Sequence, residues 1–273
     1  MPLILGTNSI KDTGYNVDNS CRFDDGDNTQ LKRTAGTPTN ANKGTFSAWV
    51  KRSNLVEGRI VMTFTDGNKY SYFKFNSDHR LELIAYSGGS LYADYKTNRL
   101  FRDVSAWSHI MLVIDTTQGT ATNRMKFYVN GQETSFNTQT FNGGQNTDHP
   151  LLIASPTNYH TIASAENAQV NFNGYMAEVV LLDGQALDAT SFGEFDDSGI
   201  WKPIDVSGLT FGDNGYYLDF ESSGSLGSDV SGNSNNFTVN NLTSIDQATD
   251  TCTNNFATFN PLFPTAGTSV FSE

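Results

Sequence analysis

The residues able to do chemistry in this chain are mostly carboxylates. Asp and Glu number 29 against 17 Lys and Arg, for a net charge of −12. Hydrolysis of a glycoside with retention needs two carboxyl groups about 5–5.5 Å apart. Alternate positions of a strand share a face, so the pattern to find is a pair of carboxylates two residues apart. Glu194 and Asp196 come nearest, at the end of a predicted helical turn. Glu178 is followed two positions on by Val180, and Glu82 by Ile84, so neither has such a partner. Catalysis is not expected. His79, His109, His149 and His160 show no His-x-x-x-His spacing and there is no Cys-x-x-Cys, so zinc is not expected either. His109 sits in an apolar run and reads as a core or edge residue with a satisfied hydrogen bond.

Tyrosines offer a different chemistry, binding without turnover. If Phe73 and Phe75 face inward, Tyr70, Tyr72 and Lys74 face out. If Leu91, Ala93 and Tyr95 face inward, Tyr92, Asp94 and Lys96 face out. A Tyr ring stacks on the apolar face of a pyranose while neighbouring carboxylates and amides take its hydroxyls. Tyr70, Tyr72, Tyr92 and Asp94 are therefore the candidate glycan-binding residues. Interfaces are equally rich in Tyr, and packing against a neighbouring subunit is the simpler reading. Excess negative charge opposes a phosphate backbone. Lys32-Arg33 and Lys51-Arg52 are isolated basic pairs, and no Gly-rich loop opens a helix. No nucleic acid or nucleotide is expected as a partner.

The elements that must carry these residues are strands. Phe46 to Val50, Ile60 to Phe64, Tyr70 to Phe75, Leu81 to Tyr86 and Leu91 to Lys96 alternate between apolar and polar or aromatic positions. His109 to Asp115 is a nearly continuous apolar run and reads as a central strand. Met125 to Val129 ends in Asn130-Gly131, the strongest short hairpin signal. Leu151 to Ala154, Phe172 to Leu182 and Tyr216 to Phe220 supply further strands. Ala189 to Phe195, capped by Asp188, is the one helical candidate. Glycine numbers 24, and with the many Asn, Asp, Ser and Thr residues it marks frequent turns. This is the pattern of an all-β protein, a two-sheet antiparallel jelly-roll sandwich with one short helix and terminal extensions. Trp49 and Trp107 are expected to be buried.

Residues 1–20 read as an N-terminal arm, 21–222 as the sandwich, and 223–273 as a Gly/Ser/Asn-rich boundary followed by a docking tail. Apolar Leu3, Ile4 and Leu5 in the arm, and Phe256, Phe259 and Phe263 in the tail, are the expected assembly residues. The opening residues lack the basic start and apolar core of a secretory signal, and no apolar run is long enough to span a bilayer. No membrane insertion is expected. Cys21 and Cys252 could pair, but two free thiols fit a protein made in a reducing compartment.

Thr45 to Arg52, Trp107 to Asp115 with Asn123 to Gly131, and Phe172 to Val179 resemble the laminin G-like branch of the concanavalin A-like lectin and glucanase superfamily. The resemblance implies a concanavalin A-like sandwich. It also implies one structural Ca²⁺ at the rim in some members, for which Asp66, Asp115 and Asp148 are candidates by position. Turn Asp residues, however, commonly serve the backbone. No other cofactor is implied. The superfamily's glucanases carry Glu-x-Asp-x-(x)-Glu, and Glu194-Phe195-Asp196 lacks the final Glu.

Leu182 to Asp188, Ser191 to Asp196, Asp229 to Asn233 and Thr253 to Leu262 are similar to virion surface proteins of marine tailed bacteriophages. That likeness implies a non-enzymatic capsid decoration, head-fibre or tail-fibre module on the virion surface, synthesised in the bacterial host cytoplasm. Its implied partners are other virion proteins, itself in a homo-oligomer such as a trimer, and host cell-surface polysaccharide. The alternative is a carbohydrate-binding lectin module that recognises host glycans, and a glycoside hydrolase ranks third.

Overall fold

A computed structural model describes residues 14–66, 68–153, 159–165 and 170–255. Leu3, Ile4, Leu5, Phe256, Phe259 and Phe263 lie outside the described residues. Within them, eighteen strands run in chain order: β1 (Ser20–Phe23), β2 (Gln30–Thr34), β3 (Lys43–Arg52), β4 (Gly58–Asp66), β5 (Lys69–Phe75), β6 (Arg80–Ser87), β7 (Ser90–Leu100), β8 (Ser108–Asp115), β9 (Met125–Val129), β10 (Gln132–Glu133), β11 (Phe136–Phe141), β12 (Tyr159–Ile162), β13 (Gly174–Asp183), β14 (Gly193–Phe195), β15 (Trp201–Pro203), β16 (Tyr216–Leu218), β17 (Thr238–Asn240) and β18 (Gln247–Ala248). The first sheet has the order β10-β9-β8-β3-β13-β1-β18, with β16 also paired to β13. The second has the order β11-β7-β6-β5-β4-β12-β2-β17, and β14 and β15 form a separate hairpin. The strand ladders are antiparallel, the signature of a jelly-roll sandwich.

Period two builds the main core. Phe46, Ala48 and Val50 of β3 and Ile110, Leu112 and Ile114 of β8 point between the sheets, where they meet Phe73, Phe75, Leu81 and Leu83 of the second sheet. Phe73 bridges the two layers, 5.9 Å from Phe46 and 5.3 Å from Phe127 in edge-to-face contacts. Asn130-Gly131 makes the expected hairpin: both residues have positive φ, and Val129 pairs with Gln132 across the turn. A Cβ at Gly131 would lie 2.3 Å from the Trp201 ring, so glycine is required there for space as well.

The opposite residues of the first sheet are also buried. Trp49, Met111, Val113, Val180 and Leu182 face away from the main core into a second cluster closed by Phe192, Trp201, Val206 and Phe211. Trp49 and Trp107 are both buried, but in this second cluster. One bulge adapts β13 to it. Between Ala177 and Val180 the register slips by one residue against Trp49 and Ser47. Glu178 takes φ 50° there, a left-handed conformation that costs a residue other than glycine about 1 kcal/mol or more.

Three sequence readings are corrected. The helical candidate is only a 3-10 turn over Ala189–Ser191, with the Asp188 side chain accepting from the Thr190 N–H. Gly193 starts a strand instead, because Glu194 and Phe195 pair with Lys202 and Trp201. Leu151 and Leu152 lie in a turn rather than a strand, and both plug the main core. Residues 223–255, read as a boundary and tail, enter both sheets: β17 pairs with β2, and β18 with β1. Their polar side chains serve tight turns: the Asp229 carboxylate accepts from the backbone of Tyr217, Ser231 and Asn235, and the Asn236 side chain accepts from the Asp229 backbone. Cys21 and Cys252 are free thiols.

Candidate functional site

The outward side of the second sheet places its residues in rows by cross-strand register. One row runs Tyr159, Phe64, Tyr70, Tyr86, Leu91 across β12, β4, β5, β6 and β7. Each is partly exposed. Tyr70 is the centre of a ring cluster, 4.8 Å from Tyr86 and 5.1 Å from Tyr72. Cations sit on its margins: the Arg59 guanidinium lies 4.1 Å from the Tyr72 ring centre, and Lys32 Nζ lies 3.7 Å from that of Tyr159. These are cation–π distances.

A second row, Arg59, Lys74, Glu82, Lys96, carries charge. Glu82 is almost completely buried at its centre. Its Oε1 meets Lys96 at 3.1 Å, and its Oε2 meets Lys74 at 3.3 Å and accepts from Asn76 Nδ2 at 2.9 Å. Lys74 also reaches Glu57 at 2.7 Å, and Lys96 lies 3.8 Å from Asp78. The face is therefore aromatic along one row and ionic along another four residues further on, about 13 Å away at the rise of a strand, with Tyr72 and Asp94 on the row between them. That combination suits a ligand with an apolar face and a rim of hydroxyls.

Tyr70 and Tyr72 stand together on this face as the alternation predicts, and Asp94 joins it two strands from Tyr72 by way of Ile84. The Asp94 carboxyl is held above its ordinary range by burial and then by the Glu82 charge. Tyr92 does not belong. A bulge between Ala85 and Tyr86 in the β6–β7 ladder makes Tyr92 the extra residue, so Leu91 takes the outward place and Tyr92 turns inward. Tyr92 is only 8% exposed, packs on Phe141 and His149, and bonds Thr147 at 2.7 Å. Tyr86, Phe64 and Tyr159 were missed. Alternation marks Tyr86 as outward, but only strand order puts it beside Tyr70.

The calcium candidates do not converge. Asp115 Oδ1 accepts from the Thr117 backbone and Oδ2 from Gln118, with Lys43 at 3.9 Å. Burial raises its affinity for a proton, yet these hydrogen bonds win and lower its pKa. It is a turn aspartate facing an ammonium group. Asp148 is exposed, and the Asp66 side chain lies outside the described residues. Among the described residues no three His, Cys, Asp or Glu side chains group as a metal site.

Other ionisable groups belong to the covered side of the first sheet. The Glu178 carboxylate accepts from Tyr217 at 2.7 Å and Tyr15 at 3.3 Å. Burial pushes its pKa up to about 7. His109 shares a hydrogen bond with Ser47 at 2.8 Å and accepts from Trp201 Nε1 at 3.2 Å. Full burial drives it down to about 3, so it stays neutral, as the core reading requires. Asp250 accepts from Lys51 at 2.8 Å and Trp107 Nε1 at 2.9 Å, all buried. Asp196 bonds the backbone of Ser198 and Ile200 and meets Lys202 at 3.4 Å, so it shapes the β14–β15 turn.

Comparison with known proteins agrees with this architecture. Residues 24–191 match a laminin G family described as the concanavalin A-like lectin/glucanases superfamily. A putative carbohydrate binding protein from Bacteroides ovatus superposes with a TM-score of 0.55 at 16% identity, over 83% of this chain and 59% of that one. A SAP-like pentraxin from Limulus polyphemus gives 0.44 at 16% identity, over 64% of this chain and 80% of that one. Domains LG4-5 of the mouse laminin alpha1 chain give 0.46 at 14%, over 75% and 48%. At such identities the likeness is one of fold. No curated protein sequence matches the chain. The match over most of the sandwich shows that this chain belongs to the laminin G family of the concanavalin A-like lectin/glucanases superfamily.

Proposed function

We propose that this chain is a non-catalytic carbohydrate-binding module whose ligand face is the outward side of the second sheet. The observation that carries the reading is the partly exposed Tyr70, Tyr72 and Tyr86 cluster on the same face as the Lys74–Glu82–Lys96 ladder. Tyrosine rings give a sugar a stacking platform at little entropic cost, and the ladder supplies fixed donors and acceptors. Superfamily membership and the fold shared with a putative carbohydrate binding protein support it. Both oxygens of Glu82 are engaged by cations or an amide, which leaves it poorly placed to donate or take a proton.

The finer setting is adhesion at the surface of a tailed-phage virion, as a fibre or decoration module recognising host polysaccharide. It rests on the likeness of residues 182–196, 229–233 and 253–262 to such proteins. A glycan array followed by calorimetry on the hits tests the module. Tyr70→Ala and Tyr86→Ala should each weaken binding about 5- to 30-fold, the cost of removing an aromatic anchor, and no reducing ends should be released. Unchanged affinity in both variants would refute the assigned face. Turnover lost in Glu82→Gln would refute the non-catalytic reading.

A further inference from the structure

On the covered side of the first sheet one long hollow is left open. Its larger part, about 440 Å³, is lined by Trp107, Trp201, Phe195, Ile200, Gln132 and Arg99. Arg99 continues it into a smaller hollow floored by Phe75, Leu100 and Phe101. Seven large apolar side chains are exposed among the described residues, and three of them line this trough: Ile200 at 57%, Phe195 at 48% and Leu100 at 39%. Phe195 stands edge-on to Trp201 at 4.9 Å. Apolar groups so grouped mark a surface that a partner covers.

Charge narrows the choice of partner. The end of β7 brings exposed Arg99 to the trough, with exposed Arg102 just beyond. The β14–β15 hairpin brings Phe195 and Ile200, and carries exposed Glu194 and Asp197 beside them. Asp196 is already held by Lys202 at 3.4 Å, whereas Arg99, Arg102 and Asp197 make no ion pair among the described residues. The trough thus has a basic side and an acidic side, each with its own apolar groups. A purely acidic ligand would meet Asp197, and a purely basic one would meet the two arginines. A second copy turned about a two-fold axis sets Arg99 and Arg102 against the partner subunit's Asp197, and Leu100 against the partner subunit's Ile200. Both contacts then recur on the other side of the axis, because a two-fold interface is self-complementary. We propose that this trough is the contact between two copies of the chain in a two-fold dimer. The tyrosine face takes no part in it, so the inference is independent of the carbohydrate reading.

Sedimentation velocity over about 1–100 µM should show the mass rising toward that of a dimer, as for a micromolar Kd. Ile200→Asp changes an exposed side chain, so it should leave unfolding unchanged while weakening association about tenfold or more. Arg99→Asp and Asp197→Arg should each weaken it about tenfold, because like charges then face one another at two symmetry-related places. Arg99→Asp/Asp197→Arg in one chain restores opposite charges at both places and should recover most of the parent's affinity. That recovery separates a pairing of these residues from a general effect of charge. A parent that stays monomeric at about 100 µM would overturn the proposal. So would association that survives Ile200→Asp, or a double variant that associates no more tightly than either single one.

Discussion

The outward faces of the two sheets come from the same period-two pattern and end as opposite surfaces. On the first sheet, Trp49, Met111, Val113, Val180 and Leu182 are sealed by residues 192–217. Every polar group caught there has a dedicated partner: Lys51 with Asp250, Glu178 with Tyr217, His109 with Ser47. On the second sheet the equivalent positions hold tyrosines and a ladder of shared charges, all partly open to water except Glu82. A sealed face can tolerate a buried ion only in one geometry, because an unpaired charge there is costly. An open face can leave donors and acceptors for a ligand. The proposed reading puts binding on the second sheet and stability on the first, and each prediction below tests that division.

The largest effect belongs to the sealed face. Trp107→Ala removes a buried ring and leaves Asp250 short of a donor, so it should cost about 3–5 kcal/mol. Asp250→Ala leaves the buried Lys51 ammonium without its counter-ion, with only the Asn255 amide as partner, and should cost a similar amount, about 3–5 kcal/mol. Denaturant unfolding checks both. A loss under 1 kcal/mol in either would break the claim that this face is a second core.

Next comes pH. The folded Glu178 has its pKa raised to about 7 from 4.5. Its contribution is complete below pH 4.5 and is lost as pH rises through about 7. A shift of that size is worth up to about 3 kcal/mol by linkage. His109, His149 and His160 act in the opposite sense, since burial lowers each to about 3 and stability falls as pH drops below 6.5. The difference between parent and Glu178→Gln isolates the glutamate. The parent's advantage over the variant should shrink steadily from pH 4.5 to 7; a flat difference would refute a buried, proton-holding Glu178.

Smaller again is the ladder on the open face. Glu82→Ala removes the acceptor for Lys74, Lys96 and Asn76 together and should cost about 2 kcal/mol, as for charge-assisted hydrogen bonds. Salt should reduce that cost, because Lys74 and Lys96 keep contact with water. A salt-independent loss would mean the ladder is sealed like the first sheet.

The sandwich was legible because its signals are local. Alternation in β3 and β5, the apolar run of β8, and Asn130-Gly131 each act within a few residues. The placement of Tyr70 and Tyr72 followed from the same rule. Tyr92 failed because a bulge in the β6–β7 ladder shifts parity by one, and no local signal announces it. Tyr86 and Tyr159 could not be joined to Tyr70, since that needs the strand order β6-β5-β4-β12. The second cluster was hidden for a related reason. Phe192, Trp201 and Phe211 sit among turn residues, and only the fold shows that they cap β3 and β13.

The smallest expected effect is the sharpest contrast. Tyr86→Ala removes a ring that touches Tyr70 at 4.8 Å on a partly exposed surface. An aromatic pair adds about 0.5–1.5 kcal/mol beyond area burial, and water already wets these rings, so the total loss should be near 1 kcal/mol. Trp107→Ala should therefore cost at least about three times as much in stability, by the cavity term that only a sealed ring leaves behind. Glycan affinity should show the reverse order, with Tyr86→Ala weakening binding and a mild sealed-face variant such as Trp107→Phe leaving it intact. Paired measurement of unfolding and binding on these two variants decides the division. If Tyr86→Ala costs as much stability as Trp107→Ala, the tyrosine cluster is a structural patch and the division between the faces fails.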